Sequence, residues 1–321
     1  MAANMTDLYT QQRSNRRATA WLIAGFILLI TFLGLGVDVL YLGFESGIPI
    51  ATSLALTFSS ANGLFSFYKG DSLILASLRA IPLDFNDPDH KKLRNVVTEM
   101  AIASGLPMPE TYVIMDPAPN AFATGRDPEH ALIGVTQGLL TTMNREELQG
   151  VVAHEMGHIK NYDIRLMMVV TVLLGTIVLL SDWARRTMRY GGVIGSRNRR
   201  GRNKGGNVAV LILFLILIIL APIISRLMAL AVSRYREYLA DSTAAELTRN
   251  PLGLASALEK ISQATSPLKN AHRGTAHLFI SDPIHRKIDN KEGFLADALS
   301  THPPMEKRIE RLKRMAYQYV G

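Results

Sequence analysis

The sequence predicts a mainly α-helical, multi-span membrane protein with a small β-sheet. Three observations carry that class. Two long apolar runs open the 321-residue chain. Only 19% of its residues are charged, below the roughly 25% of an ordinary soluble domain. The polar remainder alternates helical periodicity with two short β-rich runs. With 48% apolar residues the chain has ample material for a core, which excludes a disordered chain. The absence of cysteine excludes a disulfide framework, a thiolate nucleophile and any Cys-ligated zinc or iron–sulfur site. A net charge of +8 suits nucleic acid, acidic lipid or topology-setting loops, and the placement of the charges must decide.

Residues 1–17 read as a polar N-terminal tail and residues 18–68 as two transmembrane helices. The first apolar run, Ala18 to Gly43, carries a single charge, Asp38; the second, Ile48 to Tyr68, carries none. Each has the roughly 20 residues needed to cross a hydrocarbon core about 30 Å thick. Trp21, Tyr41 and Tyr68 lie near the run ends, where aromatic belts occur. A cleaved signal peptide has a shorter apolar core and no second run immediately behind it. Arg13, Arg16 and Arg17 precede the first run and predict a cytoplasmic N-terminus. A transporter is disfavoured, because the spans carry almost no ionisable residue to line a path.

Residues 69–163 read as the first part of a water-soluble domain. Asp87-Pro88 predicts an N-cap followed by proline at the first helical position. Leu93, Val97, Met100 and Ala101 recur at helical spacing until Gly105 and Pro107 stop the run. Glu110–Met115 and Ala131–Val135 predict a small strand pair or sheet. Asn144 with Glu147 predicts a capping box opening a helix with Leu148, Val151, Val152 and Ile159 on its core face.

Residues 164–232 read as an apolar helical hairpin. Its first arm, Leu166–Leu180, has a length between that of a span and a buried helix. A basic, glycine-rich loop at 184–207 joins the arms, with Arg185, Arg186, Arg189, Arg197, Arg199, Arg200, Arg202 and Lys204 and no acidic residue among them. Tyr190 is its one aromatic, so the stacking platform of a nucleic-acid site is missing, and no nucleic-acid partner is expected. Anionic headgroups suit it better. Residues 233–321 read as the second part of the soluble domain.

The chemistry concentrates in His154-Glu155-Met156-Gly157-His158. Histidines at i and i+4 share one helix face and can reach a single ion. Two neutral imidazoles suit zinc, with a third ligand and an open position completing a tetrahedral site. Glu155 lies about 100° round the helix, beside the ion, where it can take the proton of an attacking water. In Arg236-Glu237-Tyr238-Leu239-Ala240-Asp241, Glu237 can supply the third ligand and Asp241, one turn on, can orient a ligating histidine.

Taken together these motifs resemble the HtpX-like membrane zinc metalloproteases, relatives of the CAAX prenyl protease family. The resemblance runs over nearly the whole chain. It rests on two N-terminal spans, Asn120-Ala121-Phe122-Ala123-Thr124-Gly125, the His154–His158 motif, Ser233 to Asp241, and His302-Pro303-Pro304 with Arg308-Ile309. It implies a gluzincin-type zinc protease domain split between 69–163 and 233–321, one Zn2+ per chain held by His154, His158 and Glu237, and Glu155 as general base. It also implies a multi-pass protein of the cell (plasma or inner) membrane, its catalytic domain cytoplasmic. The implied work is stress-related quality control, the cleavage of damaged or misassembled membrane proteins. Prenyl-protein processing would need a large enclosed chamber and more spans.

Two further segments carry expectations. A strand over Asn120, Ala121 and Phe122 near the ion can bind an extended peptide by strand addition, which reads main chain and predicts broad specificity. His302, held stiff by the prolines after it, is a candidate oxyanion donor or occupant of the open metal position.

Overall fold

The computed structural model describes residues 2–42, 49–190, 234–264, 266–271, 275–283 and 303–319. The basic loop at 184–207 lies mostly, and the second arm of the apolar hairpin and His302 wholly, outside the described residues.

Two long helices come first, α1 (Ala2–Leu42) and α2 (Ile50–Leu78), and they pack together along their length. Small residues let them approach: a Cβ on Gly34 would lie 2.7 Å from the Ala51 backbone oxygen. Asp38, the one charge of the first apolar run, is buried and accepts from the Ala51 N–H at 2.9 Å, the Thr52 N–H at 2.7 Å and the Thr52 hydroxyl at 2.7 Å. It thus satisfies amide donors at the start of α2 that no carbonyl of that helix can reach. Helix α2 continues past the end of the second apolar run at Tyr68, to a left-handed C-cap at Arg79 (φ 53°). Among the described residues no helix is long and apolar enough to cross a membrane.

Strand β1 (Ala80–Pro82) follows, then α3 (Pro88–Ser104) with Asp87 capping the Asp89 N–H and Gly105 closing it in the left-handed region (φ 68°). Strands β2 (Glu110–Ile114), β3 (Ala121–Gly125) and β4 (Ala131–Thr136) complete a sheet of order β1-β2-β4-β3. β1/β2 and β3/β4 pair antiparallel and β2/β4 parallel. The two β-rich runs of the sequence are therefore adjacent parallel strands, and β3 lies at an edge. A short helix α4 (Gln137–Thr142) leads into α5 (Arg145–Lys160), the helix of the His-Glu-x-x-His motif. Its capping box is formed in both directions: the Glu147 N–H donates to Asn144 Oδ1 and the Asn144 N–H to Glu147 Oε2, each at 2.9 Å.

Helix α6 (Asp163–Tyr190) carries the first arm of the apolar hairpin; α7 (Arg234–Thr248), α8 (Pro251–Gln263) and α9 (Met305–Tyr319) close the molecule. The main core lies between α3, the sheet and α5 on one side and α7 to α9 on the other, with Leu93, Val97, Ile133, Val151, Leu258 and Leu312 fully buried. A second core joins α1 and α2 to α6 and the other sheet face through Phe26, Ile74, Phe122, Met168, Leu173 and Phe279.

Candidate active site

Helix α5 is buried on every side from Gly150 to Ile159, so its motif sits inside the molecule rather than on a solvated face. Two glycines let neighbouring helices reach it. A Cβ at Gly150 would lie 2.7 Å from the Leu254 backbone nitrogen, so α8 crosses there in close contact. Gly157, inside the motif, faces α7, where a Cβ would lie 3.1 Å from Ala240 Cα. This approach brings Glu237, in the first turn of α7, over the two histidines.

His154, His158 and Glu237 each offer a donor atom, and the three atoms lie within 4.8 Å of one another. The two Nε2 atoms are 3.2 Å apart. Glu237 Oε2 lies 3.7 Å from His154 Nε2, and Oε1 lies 3.5 Å from His158 Nε2. Donors around a tetrahedral zinc with bonds of roughly 2.0–2.1 Å stand about 3.3 Å apart, so the set fits that ion.

The other face of each ring strengthens the fit. His154 Nδ1 lies 3.0 Å from Asp241 Oδ1, and His158 Nδ1 lies 3.0 Å from Asp163 Oδ2. A carboxylate only accepts, so each Nδ1 carries its hydrogen and each Nε2 is the nitrogen left to face its neighbour. A proton or a metal ion can bridge the two Nε2 atoms, and a bound metal would take the place of the proton. Asp241 thus contacts the first ring. Asp163, five residues past His158, does the same for the second ring and was not singled out from sequence.

Arg308, part of the resemblance motif but given no role from sequence, is a second such residue. Its side chain is wholly buried. Its Nε donates to Asp241 Oδ2 at 2.9 Å, Nη2 to Asp241 Oδ1 at 2.7 Å and Nη1 to the Ile280 carbonyl at 3.0 Å; Nη1 lies 3.2 Å from Glu237 Oε2. The pairing is bidentate, which a planar guanidinium permits and an ammonium does not. It balances two carboxylates that would otherwise repel in a dry interior. Burial opposes ionisation of Asp241, yet Arg308 and His154 hold its pKa below the usual carboxylate range.

Glu155 is different. Both its carboxylate oxygens are buried without a hydrogen bond of standard geometry. Burial is the largest influence and pushes its pKa up to about 7; His158 tempers the rise, Glu237 adds to it, and the Ala123 N–H contributes a small opposing effect. For His158, burial favours the neutral ring, but Asp163 and Glu237 outweigh it and raise the pKa to about 9. Burial lowers that of His154, against the pull of Asp241.

Strand β3 flanks the site. The Thr136 N–H bonds the Asn120 carbonyl at 3.0 Å. By antiparallel alternation, Ala121, Ala123 and Gly125 then turn their amides away from β4. The Ala121 carbonyl accepts from the Ile280 N–H at 3.0 Å, and Phe122 bridges Phe279. Among the candidate strand residues, the Phe122 ring is fully buried over Gly134 and the Asn120 amide donates to the Ser281 carbonyl at 3.0 Å. Both side chains are therefore turned to packing, and what β3 can offer a peptide is main chain.

A helix bearing a buried His-Glu-x-x-His pair, crossed by a second helix that brings a glutamate to it, marks a metallopeptidase. Comparison with known proteins narrows the class. The profile of Peptidase family M48 matches residues 88–316, and the chain belongs to that family. It is 45% identical over 308 residues to a protein described as Protease HtpX homolog from Caldanaerobacter subterraneus subsp. tengcongensis, covering 96% of this chain and 98% of the relative. Another of that description, from Thermoanaerobacter pseudethanolicus, is 45% identical over 309 residues with the same coverage. Among solved structures, S. mikatae Ste24p aligns with a TM-score of 0.49 at 19% identity, over 96% of this chain and 67% of that one. The chain is a metalloprotease.

Proposed function

We propose that this protein is a membrane-anchored zinc endopeptidase in which His154, His158 and Glu237 hold the ion and Glu155 is the general base. The observation that carries the assignment is the convergence of two Nε2 atoms and a Glu237 oxygen beside the buried Glu155 carboxylate. A zinc ion bound there supplies Lewis acidity to the scissile carbonyl and makes a water more acidic. Glu155, buried beside the ligand set, would take the proton of an attacking water and return it to the leaving amine. Asp163 and Asp241 keep the rings in the tautomer that offers Nε2, and Arg308 restrains the Glu237 carboxylate through Oε2. The outward-facing main chain of β3 beyond Ala121, such as the Gly125 amide, suits an extended peptide that pairs with main chain, a mode that tolerates many side chains. Damaged or misassembled membrane proteins are the substrates this reading favours.

Membrane attachment is supported by what α1 and α2 expose. Trp21 is 77% exposed, Leu28 70%, Phe32 67% and Leu54 67%; so much apolar surface on two adjacent helices is costly in water and ordinary in lipid. Residues 18–42 of the first apolar run and 50–68 of the second lie on these helices. Arg13, Arg16 and Arg17 support a cytoplasmic N-terminus, and with it a cytoplasmic catalytic domain.

The test is metal content and peptidase activity of purified protein before and after a chelator, for wild type, Glu155→Gln and Glu237→Gln. Glu155→Gln should keep zinc and lose about 10²–10⁴-fold in turnover; Glu237→Gln should lose zinc itself. Zinc lost from Glu155→Gln, or fully retained by Glu237→Gln, would reverse these roles. Single cysteines at Ser14, Asp89 and Lys307 should resist an impermeant thiol reagent in intact cells, and labelling from outside would invert the orientation.

A further inference from the structure

Helices α1, α2 and α6 each pass from polar to apolar sequence, and the three junctions meet. Arg16 stands two residues before the apolar run that begins at Ala18, Phe67 and Tyr68 end the run of α2, and Arg165 immediately precedes Leu166, where the apolar run of α6 begins. At this level the arginines stack on aromatic rings. The Arg16 guanidinium carbon lies 4.1 Å from the centre of the Tyr162 ring, and that of Arg165 lies 5.1 Å from Tyr162 and 5.4 Å from Phe67. Arg126, from the turn after β3, lies 5.5 Å from the Tyr68 ring, and the Arg165 Nε donates to its carbonyl. Tyr162 brings its ring within reach of both guanidiniums from a left-handed backbone (φ 59°), a conformation uncommon for a bulky residue.

The charges of this cluster are incompletely balanced. Arg126 pairs with Asp127 at 3.5 Å, and Asp127 also bonds the His130 ring. Among the described residues, neither Arg16 nor Arg165 has a carboxylate within ion-pair distance. Asp127 and Glu129 act on Arg165 only from farther away, while burial and the like charge of Arg16 disfavour its charged form. A close guanidinium pair, Arg165 half-buried and Arg16 exposed, is completed by an anion with several acceptor oxygens, and phosphate matches the planar fork best.

We propose that Arg16, Arg165 and Arg126, backed by Tyr162, Phe67 and Tyr68, bind the phosphodiester of an acidic phospholipid at the membrane face of the catalytic domain. This rests on the membrane attachment proposed above. A lipid suits the site better than free phosphate because the junctions place it at headgroup depth. The chains of such a lipid would run along an apolar flank where Leu64 is 62% and Phe65 48% exposed. Asn15, one residue before Arg16, bonds Asp163, two residues before Arg165, and Asp163 in turn contacts His158, so an occupied site braces the helix ends that carry them.

Full-length protein, reconstituted in vesicles of phosphatidylcholine with about a third phosphatidylglycerol and re-extracted in neutral detergent, tests this by counting retained lipids with native mass spectrometry. Wild type should retain phosphatidylglycerol in preference to phosphatidylcholine. Arg16→Gln/Arg165→Gln should retain about tenfold less, one charge-assisted bond being worth roughly that factor. Arg94→Gln, which removes a guanidinium stacked on Phe85 elsewhere, should retain as much as wild type. Equal loss in Arg94→Gln, or undiminished retention in the double variant, overturns the site. If the double variant fails to fold, Arg16→Gln alone, at an exposed position, should still lower retention, and no change there also overturns it. Displacement of the lipid by millimolar inorganic phosphate would identify a small-anion site instead. Wild type that does not enter vesicles at all would refute membrane attachment, an outcome separate from loss of the lipid preference.

Discussion

Asp163 accepts the His158 Nδ1–H at 3.0 Å on one carboxylate oxygen and the side-chain amide of Asn15 at 2.6 Å on the other. The Asn15 amide also reaches the Asn161 carbonyl at 2.9 Å, and Gln12 donates to the Lys160 carbonyl at 2.7 Å. The first helix therefore caps the end of α5 and holds the carboxylate that orients a histidine of the site.

Asp163→Asn should weaken zinc binding about 10–100-fold, the usual effect of losing a carboxylate behind a ligating histidine. Asn15→Ala should act in the same direction and less strongly. Competition with a chromophoric chelator measures both. Unchanged affinity in Asp163→Asn would show that the ring needs no such partner.

Arg308→Met should destabilise strongly, by about 3–5 kcal/mol, because it leaves Asp241 charged, buried and without its bidentate partner. Arg308→Lys should recover only part of the loss, since an ammonium cannot pair with Asp241 Oδ1 and Oδ2 while also reaching Ile280. Thermal unfolding in detergent, with and without added zinc, compares the variants. Full recovery by lysine would mean that charge alone matters there.

Gly150→Ala tests the crossing of α5 and α8. The added methyl would sit 2.7 Å from the Leu254 backbone nitrogen, and backbone cannot yield as a flexible side chain can. Loss of about 1–3 kcal/mol is expected, despite the better helix propensity of alanine. A stabilised variant would show that the two helices can slide apart.

Acid sensitivity should come in part from Glu147. Burial works against its charge, but Lys260, Ser256 and the Asn144 N–H outweigh that and lower its pKa below the ordinary 4.5. A depressed carboxylate stabilises the fold above its unfolded pKa and loses that contribution as pH falls through the folded value. Wild type should therefore lose stability over Glu147→Gln as pH drops below about 4.5, and the two melting temperatures should converge. Parallel melting curves from pH 6 to pH 3 would assign the acid response elsewhere.

The parts of this architecture that close on themselves locally were legible in the sequence. The Asn144–Glu147 box, the Asp87 cap and the histidine pair are set by spacings of two to four residues, which one helix turn enforces. Glu237 and Asp241 were legible for the same reason, and the two β-rich runs by composition. Asp163 and Arg308 were not assigned roles, because their meaning depends on distant partners: Asn15 lies 148 positions from Asp163, and Asp241 lies 67 from Arg308. The pairing of Ile280 with Ala121 at the edge of β3 is equally non-local, and no motif announces it. The extension of α2 beyond Tyr68 was hidden because the apolar run ends before the helix does.

Asp38 ties the birth of this protein to its geometry. A chain that has emerged only as far as residue 42 carries a carboxylate in an apolar helix with nothing to neutralise it. Its three donors, on Ala51 and Thr52, arrive nine or more residues later in synthesis. On the membrane attachment proposed above, the first helix is thus a poor passenger by itself and a good one as half of a pair, so the two should enter the bilayer together as a preassembled hairpin. Swapping either helix for a generic anchor would break that partnership, however hydrophobic the replacement.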